Sequence, residues 1–111
     1  MNTDEVLLEV NEERMRQETL KEQGKFLFSC ADKGLSEAEK LAVLGEEFGE
    51  VSKEVTELVI ELAKLMKFRM APETRTEVIE SAIRNYKVKA RKELVQVAAV
   101  AVAWVEALSS E

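Results

Sequence analysis

Apolar residues recur at helical spacing along most of the chain, and the pattern is clearest in its middle third. There the steps between apolar positions alternate between three and four residues without a break. The positions are Leu41, Leu44, Phe48, Val51, Val55, Leu58, Leu62 and Leu65. This spacing predicts one long helix with an apolar seam, and we expect partner helices to cover that seam along its whole length.

A first helix is predicted over residues 3–23, with Thr3 or Asp4 as its N-cap and Gly24 as its stop signal. The connector that follows, residues 24–35, contains the apolar run Phe26, Leu27 and Phe28. That run is too apolar to be simply solvated, so we expect it to fold down onto the helices.

The middle helix begins at a capping box, in which Ser36 is followed three residues later by Glu39. We expect this helix to extend to about Lys67. Residues 68–73 interrupt the pattern, and Pro72 suits the first turn of a new helix because its missing N–H has no partner there anyway.

The third predicted helix runs from residue 73 to about residue 108 and is loosened near residues 85–87. Its final third, residues 94–105, is apolar almost all round. A helix of this kind needs cover on every side, which a three-helix monomer cannot supply. We therefore expect a single all-α domain over residues 1–111, completed as a homodimer or a dimer of dimers.

Composition and charge narrow the classes of partner. The chain has 111 residues, 46% of them hydrophobic and 34% charged, with four glycines and one proline, which favours helices. The net charge of −6 argues against a nucleic acid or an anionic membrane surface as a direct partner, since both require a basic patch. The longest apolar run, residues 97–105, is shorter than the roughly 20 residues that span a bilayer.

The chain has no histidine, which excludes histidine-based triads, histidine general bases and histidine-ligated zinc. The lone Cys30 cannot form an internal disulfide, and no histidine is present to activate it as a nucleophile. The N-terminus is charged from Asp4 onward, so we expect no signal peptide there. The simplest setting for such a chain is the reducing cytoplasm.

Residues 44–51 pack three carboxylates, those of Glu46, Glu47 and Glu50, into about one and a half helical turns. Their spacings of three and four place them on one helix surface, where like charges repel by a few tenths of a kcal/mol per pair. A longer acidic stripe runs beside the apolar seam through Glu47, Glu50, Glu54, Glu57 and Glu61. Such a stripe is either a solvated face or a set of oxygen ligands for a hard divalent cation.

Glu93 and Gln96 repeat the i, i+3 spacing on the last helix, inside apolar sequence. In an antiparallel bundle this pair could face Glu47 and Glu50 and close an oxygen-rich pocket between helices. Gln96 is informative because a polar amide in an apolar segment must find a partner.

The segment Glu-Glu-Phe-Gly-Glu at 46–50, followed by Glu-Leu-Val-Gln-Val-Ala at 93–98, resembles the MazG-like, all-α nucleoside triphosphate pyrophosphohydrolases. The hallmark of that family is Glu-x-x-Glu on one helix and Glu-x-x-Asp on the next, which together hold Mg²⁺. The resemblance covers residues 13–108. The matching positions are Glu47, Glu50, Glu93 and Gln96, with Glu46 as an extra acid before the first motif.

The resemblance implies a Mg²⁺-dependent enzyme, with Mn²⁺ as an alternative metal, that converts an NTP or dNTP to the monophosphate and pyrophosphate. It implies catalytic and metal-binding roles for Glu46, Glu47 and Glu50, with Glu93 and Gln96 completing the metal ligands. Lysines and arginines near the pocket would neutralise phosphates. The candidates are Lys53, Lys64, Lys67, Arg84, Lys89, Arg91 and Lys92.

Two departures from the family pattern support an alternative function. Gln96 stands where the family has aspartate, and the gap between the motifs is longer than in compact members, which indicates an insertion around residues 66–86. The alternative is a catalytically silent helical homodimer that binds a nucleotide or a protein partner through the same acidic pocket. Gln96 is the feature of the sequence that separates the two functions.

Overall fold

The computed structural model describes residues 1–24, 29–32 and 34–109. Within these ranges the chain forms three helices: α1 over Thr3–Glu22, α2 over Glu37–Leu65 and α3 over Pro72–Ser109. No β-strand occurs in the described ranges, so the predicted all-α class is confirmed.

Helix α1 begins at Thr3, which agrees with the predicted range of residues 3–23, but its N-cap is not one of the two predicted residues. Its N-cap is Asn2, whose side-chain oxygen accepts a hydrogen bond from the backbone N–H of Glu5 at 2.9 Å. Thr3 and Asp4 are already helical, so their prediction as caps was wrong, and asparagine is as good a cap as aspartate. The predicted stop is confirmed, because Gly24 adopts a φ of 75° that side-chain-bearing residues rarely tolerate. The predicted packing of Phe26, Leu27 and Phe28 lies outside the described residues.

The capping box at the start of α2 is confirmed. The hydroxyl of Ser36 accepts from the Glu39 N–H at 3.1 Å, and the Glu39 carboxylate accepts from the Ser36 N–H at 3.2 Å. Pro72 is the first residue of α3, as predicted. The loosening predicted near residues 85–87 was wrong, because α3 is continuous over Pro72–Ser109. Tyr86 is half-buried there and borders a groove on α2 and another on α1, so this part of α3 is held between both neighbouring helices.

Helix α3 lies between the other two helices, and in the described part of the chain α1 and α2 do not pack on each other. The start of α2 lies beside the end of α3, where the Trp104 indole N–H donates to the Glu37 carboxylate at 2.6 Å. Helix α2 is therefore antiparallel to α3. A small core of Cys30, Val100 and Ala103 lies at the same end.

Helix α1 runs parallel to the second half of α3. Two ion pairs define its position: Glu9 binds Arg91 at 2.6 Å, and Arg14 binds Glu106 at 2.8 Å. Because α1 reaches no further toward the start of α3 than Tyr86, the α2/α3 pair projects beyond it as a two-helix arm. The end of this arm is formed by residues 66–86, and whether they are an insertion stays a prediction from the resemblance.

The arm makes the chain elongated, with principal extents of 61 × 29 × 24 Å. Its radius of gyration is 18.2 Å, whereas a compact domain of this length has a radius of about 13 Å. A single chain therefore buries less surface than its length would allow. None of the described helices is long and apolar enough to cross a membrane.

The apolar seam of α2 is covered only in part, which corrects the expectation of partner helices along its whole length. Val51 is buried, and Leu44, Leu58, Leu62 and Leu65 are half-buried. The intervening residues Leu41, Phe48 and Val55 are exposed. One helix, α3, has room for only one side of a seam this wide, so the other side stays open.

Candidate functional site

Glu47 is an acidic residue whose surroundings raise the pKa of its side chain. Its side chain is half-buried, and burial raises the pKa of its carboxyl. The negative charge of Glu93, on α3, raises that pKa further, and the charges of Glu46 and Glu50 add to the effect. The structure therefore brings together two motifs that lie more than forty residues apart in sequence, as the antiparallel arrangement predicted.

The other predicted site residues lie around this pair. Glu46 and Glu50 are exposed on α2, whereas Glu93 is half-buried on α3. Gln96 is half-buried one turn beyond Glu93, and it lines a groove between α3 and α1. Gln96 therefore lies toward α1, while Glu93 lies toward α2.

Helix α1 contributes two residues that the sequence analysis missed, Glu13 and Arg16. The charge of Glu13 also raises the pKa of Glu47. Arg16 donates two hydrogen bonds to Glu13, at 2.5 and 2.7 Å, and its pKa is raised chiefly by Glu13 and further by the charge of Glu47. Glu13 stands at the first position covered by the family resemblance, but the loose apolar pattern of α1 did not show which side faces α3.

The groove between α1 and α3 has a volume of about 930 Å³ and carries both signs of charge. It is lined by Glu9, Glu12, Glu13, Arg16, Val88, Arg91, Lys92, Val95 and Gln96. Of the seven basic residues proposed from sequence, the structure places Arg91 and Lys92 here. Arg91 is paired with Glu9, whereas Lys92 has no ion-pair partner among the described residues.

A second, mostly apolar groove of about 530 Å³ adjoins the first. Its walls are Val6 and Val10 on α1 and a row of α3 residues that includes Tyr86 and Leu94. The two grooves share Arg91 and Val95, so a single elongated ligand could touch the charged and the apolar section together.

The donor set around Glu47 suits a hard divalent cation, because every candidate ligand offers oxygen. The repulsion that raises the pKa of Glu47 is a condition that a bound cation would relieve. Within the described ranges, however, no three acidic or cysteine side chains lie close enough together to hold a metal ion. The acidic side chains lie in one region of the structure, but they are too far apart to coordinate one metal ion as they stand.

Cys30 is not a candidate nucleophile. It is buried, its sulfur lies 4.0 Å from the carbonyl oxygen of Lys40, and burial raises the pKa of the thiol. A protonated, buried thiol is unreactive, so Cys30 is part of the core.

Comparisons of the chain with protein-family models, with curated proteins and with solved structures find no match. The resemblance to the MazG-like family therefore rests on the residues of the two motifs.

Proposed function

We propose that this protein is a Mg²⁺-dependent nucleoside triphosphate pyrophosphohydrolase of the MazG-like type. The observation that supports this proposal is the convergence of the negative charges of Glu93, Glu46 and Glu50 on the half-buried carboxylate of Glu47. Structural packing does not require such an arrangement, and carboxylates whose pKa is raised by burial and by neighbouring charges are found more often at functional sites.

In the proposed site, Glu46, Glu47, Glu50 and Glu93 would hold Mg²⁺ or Mn²⁺, and Gln96 would add a neutral oxygen. The bound metal supplies positive charge that offsets the charge of the triphosphate. Burial and the charges of Glu93, Glu46 and Glu50 raise the pKa of the Glu47 carboxyl, and a bound cation would relieve that repulsion.

The reaction would begin when a water molecule transfers a proton to a glutamate carboxylate that the metal does not occupy. The water oxygen forms a new bond to the α-phosphorus, and the bond from that phosphorus to the bridging α–β oxygen breaks. The products are a nucleoside monophosphate and pyrophosphate.

The two grooves offer complementary surfaces for such a substrate. Arg16, Arg91 and Lys92 provide positive charge for phosphate oxygens, and the adjoining apolar groove provides a surface for the base. Glutamates also line the charged groove, so a triphosphate would be repelled without an accompanying cation. This mixture of charges favours a metal-bound nucleotide over a free one.

We also propose that the chain works in the cytoplasm as a homo-oligomer. In the apolar final third of α3, Ala99, Val100 and Ala103 are buried within the chain, but Leu94 and Val105 remain at least half exposed. Exposed apolar side chains at this density favour a partner surface.

The second candidate function is a catalytically silent homodimer that binds a nucleotide or a protein through the same acidic region. Two observations favour it: the acidic groups of the described chain are not close enough to enclose a metal ion, and Gln96 replaces an anionic ligand.

Product analysis separates the two functions. The purified protein is incubated with a panel of NTPs and dNTPs in Mg²⁺, and pyrophosphate, phosphate and nucleoside monophosphate are quantified separately. The proposal predicts equal amounts of pyrophosphate and monophosphate from at least one nucleotide, and none when EDTA replaces Mg²⁺. Nucleotide binding in calorimetry with no product would support the silent homodimer.

A further inference from the structure

One side of α2 presents a row of large apolar side chains to solvent, and we define this side as the outer face. The row consists of Leu41, Phe48, Val55, Val59 and Met66, each between 41% and 68% exposed. At 3.6 residues per turn these positions lie within about 40° of one another and extend over about 37 Å of helix. Single exposed apolar residues are normal on a protein surface, but a continuous row of five indicates an interaction surface.

Small residues accompany this row along the same side of the helix. They are Gly45, Gly49, Ser52, Thr56 and Ala63, all of them exposed. A Cβ atom added to Gly45 or Gly49 would meet nothing within 4 Å. Glycine weakens a helix, and among the described residues nothing packs closely enough to require a glycine at either position, which favours a use in contact with another molecule. Small residues allow a second helix to approach closely.

Charge is absent from the outer face beyond the first turn of α2, although the helix is rich in charged residues. Helical spacing places Glu37 in line with the outer face, but its carboxylate is hydrogen-bonded to Trp104 of α3. Helical spacing places every acid and lysine between residues 39 and 64 on the remaining surface of the helix. The helix has Glu37 and Glu39 in its first turn and Lys64 in its last. Two such helices attract each other when they run antiparallel and repel when they run parallel.

The surface area of the chain is large enough for a stable dimer. The accessible surface is 7969 Å², whereas a compact monomer of 12.5 kDa exposes about 6,200 Å². The excess of about 1,800 Å² is larger than the roughly 800 Å² that each partner buries in a standard interface.

We propose that the outer face of α2 binds the outer face of a second copy, antiparallel, about a two-fold axis near Ser52. This inference rests on the proposed self-association and is independent of the proposed hydrolase activity. Because a two-fold interface uses the same surface twice, each large residue must meet a small one. Antiparallel pairing centred on Ser52 satisfies this condition.

In this antiparallel pair, a residue that lies a given number of positions after Ser52 in one copy faces the residue that lies the same number of positions before Ser52 in the other. Val55 falls opposite Gly49 of the second copy, and Val59 falls opposite its Gly45. The same count sets Phe48 against Thr56, Leu41 against Ala63 and Met66 against Ala38. All five large residues therefore face small ones. The outer face is complementary to itself in this register, a property that binding to an unrelated protein would not require. The acids at Glu46, Glu47 and Glu50 lie outside this contact.

The face is tested by sedimentation equilibrium and light scattering on the full chain and on three lysine variants. The wild type is expected to have twice the 12.5 kDa mass at low micromolar concentration. Val55→Lys and Val59→Lys should raise the dimer dissociation constant at least about 100-fold. The matched control is Val88→Lys on α3, where the side chain is 72% exposed off the outer face, and it should change that constant by less than about threefold. Circular dichroism confirms that each variant remains helical.

Disulfide cross-linking tests the direction of pairing in a Cys30→Ala background. Ser52→Cys lies near the axis and should give a covalent dimer under mild oxidation, whereas Ala38→Cys should not. Efficient cross-linking through Ala38→Cys would overturn the antiparallel arrangement. A dimer that survives Val59→Lys would overturn the assignment of the face. A wild-type monomer at about 100 µM would overturn self-association itself, and pyrophosphate release by that monomer would leave the hydrolase proposal standing.

Discussion

The half-buried carboxylate of Glu47, on α2, is within the electrostatic reach of Glu93, on α3, so two like charges oppose each other across the helix pair. Glu46 and Glu50 add to the repulsion from within α2. Pairs of like charges at such positions destabilise a fold by a few tenths of a kcal/mol each. The repulsion is therefore unfavourable to the free chain, and a bound cation would relieve it.

Glu47→Gln is expected to stabilise the metal-free protein in a pH-dependent way. Burial and neighbouring charges raise the folded-state pKa of Glu47 above its ordinary value of 4.5, so the unfolded chain ionises first as the pH rises. The wild type loses stability relative to the variant from about pH 4.5 upward, until Glu47 also ionises in the folded state. We expect a melting temperature about 2–4 °C higher for the variant at pH 8 and no difference at pH 4.

Thermal melts in EDTA followed by circular dichroism check this prediction. Glu57→Gln is the control, since Glu57 is an exposed acid of the same stripe. If both variants had equally raised melting temperatures at pH 8, the cause would be the general reduction of negative charge and not the environment of Glu47.

Divalent metal is expected to stabilise the wild type. A ligand that binds only the folded state adds about 2.7 kcal/mol at a hundredfold excess over its dissociation constant, which corresponds to roughly 10 °C in a domain of this size. Differential scanning calorimetry in millimolar Mg²⁺ or Mn²⁺ against EDTA measures this shift. Identical melting temperatures in metal and EDTA would contradict a metal site at these acids.

Gln96→Asp is expected to tighten Mg²⁺ binding without loss of the fold. Gln96 lines the groove between α1 and α3 together with Arg16, Arg91 and Lys92, so a new carboxylate there meets nearby cations and solvent. If Gln96 instead satisfied a polar group in a dry interface, the same change would bury an unpaired charge and cost several kcal/mol. Mg²⁺ titration with melting temperature as readout separates the cases. A variant that melts far lower and gains nothing from metal would mean that Gln96 is not a metal ligand.

Arg14→Met is expected to weaken the docking of α1. The guanidinium of Arg14 is buried and hydrogen-bonds Glu18 at 2.6 Å and Glu106 of α3 at 2.8 Å. Because the two acids are partly exposed, we expect the free energy of unfolding to fall by about 1–2 kcal/mol, which corresponds to a melting temperature about 5–10 °C lower. The control Arg84→Met changes an exposed arginine and should shift the melting temperature by less than about 2 °C.

Local signals in the sequence predicted the helices well. The capping box at Ser36, the stop at Gly24 and the start at Pro72 depend on a few neighbouring residues, and all three are confirmed. One local prediction failed, because the N-cap of α1 is Asn2 and not Thr3 or Asp4. The other failures depend on tertiary packing. The continuous seam of α2 could not show that α3 covers one side only. The weak apolar pattern over residues 85–87 could not show that α3 continues through them without interruption.

The candidate site was predictable in part for the same reason. Two i, i+3 motifs on helices expected to be antiparallel were enough to bring Glu47 near Glu93. Glu13 and Arg16 were missed because the apolar residues of α1 form only a loose stripe, which does not fix the side that faces α3.

The most direct test of the proposed site is Mg²⁺-dependent pyrophosphate release by wild type, Glu47→Gln and Glu57→Gln, with the nucleotide that the panel identifies. If Glu47 is at the centre of the site, its variant should be at least about 100-fold slower at saturating Mg²⁺, whereas Glu57→Gln should stay within about threefold of wild type. Equal rates in all three proteins, or no pyrophosphate from any nucleotide, would contradict the proposed function.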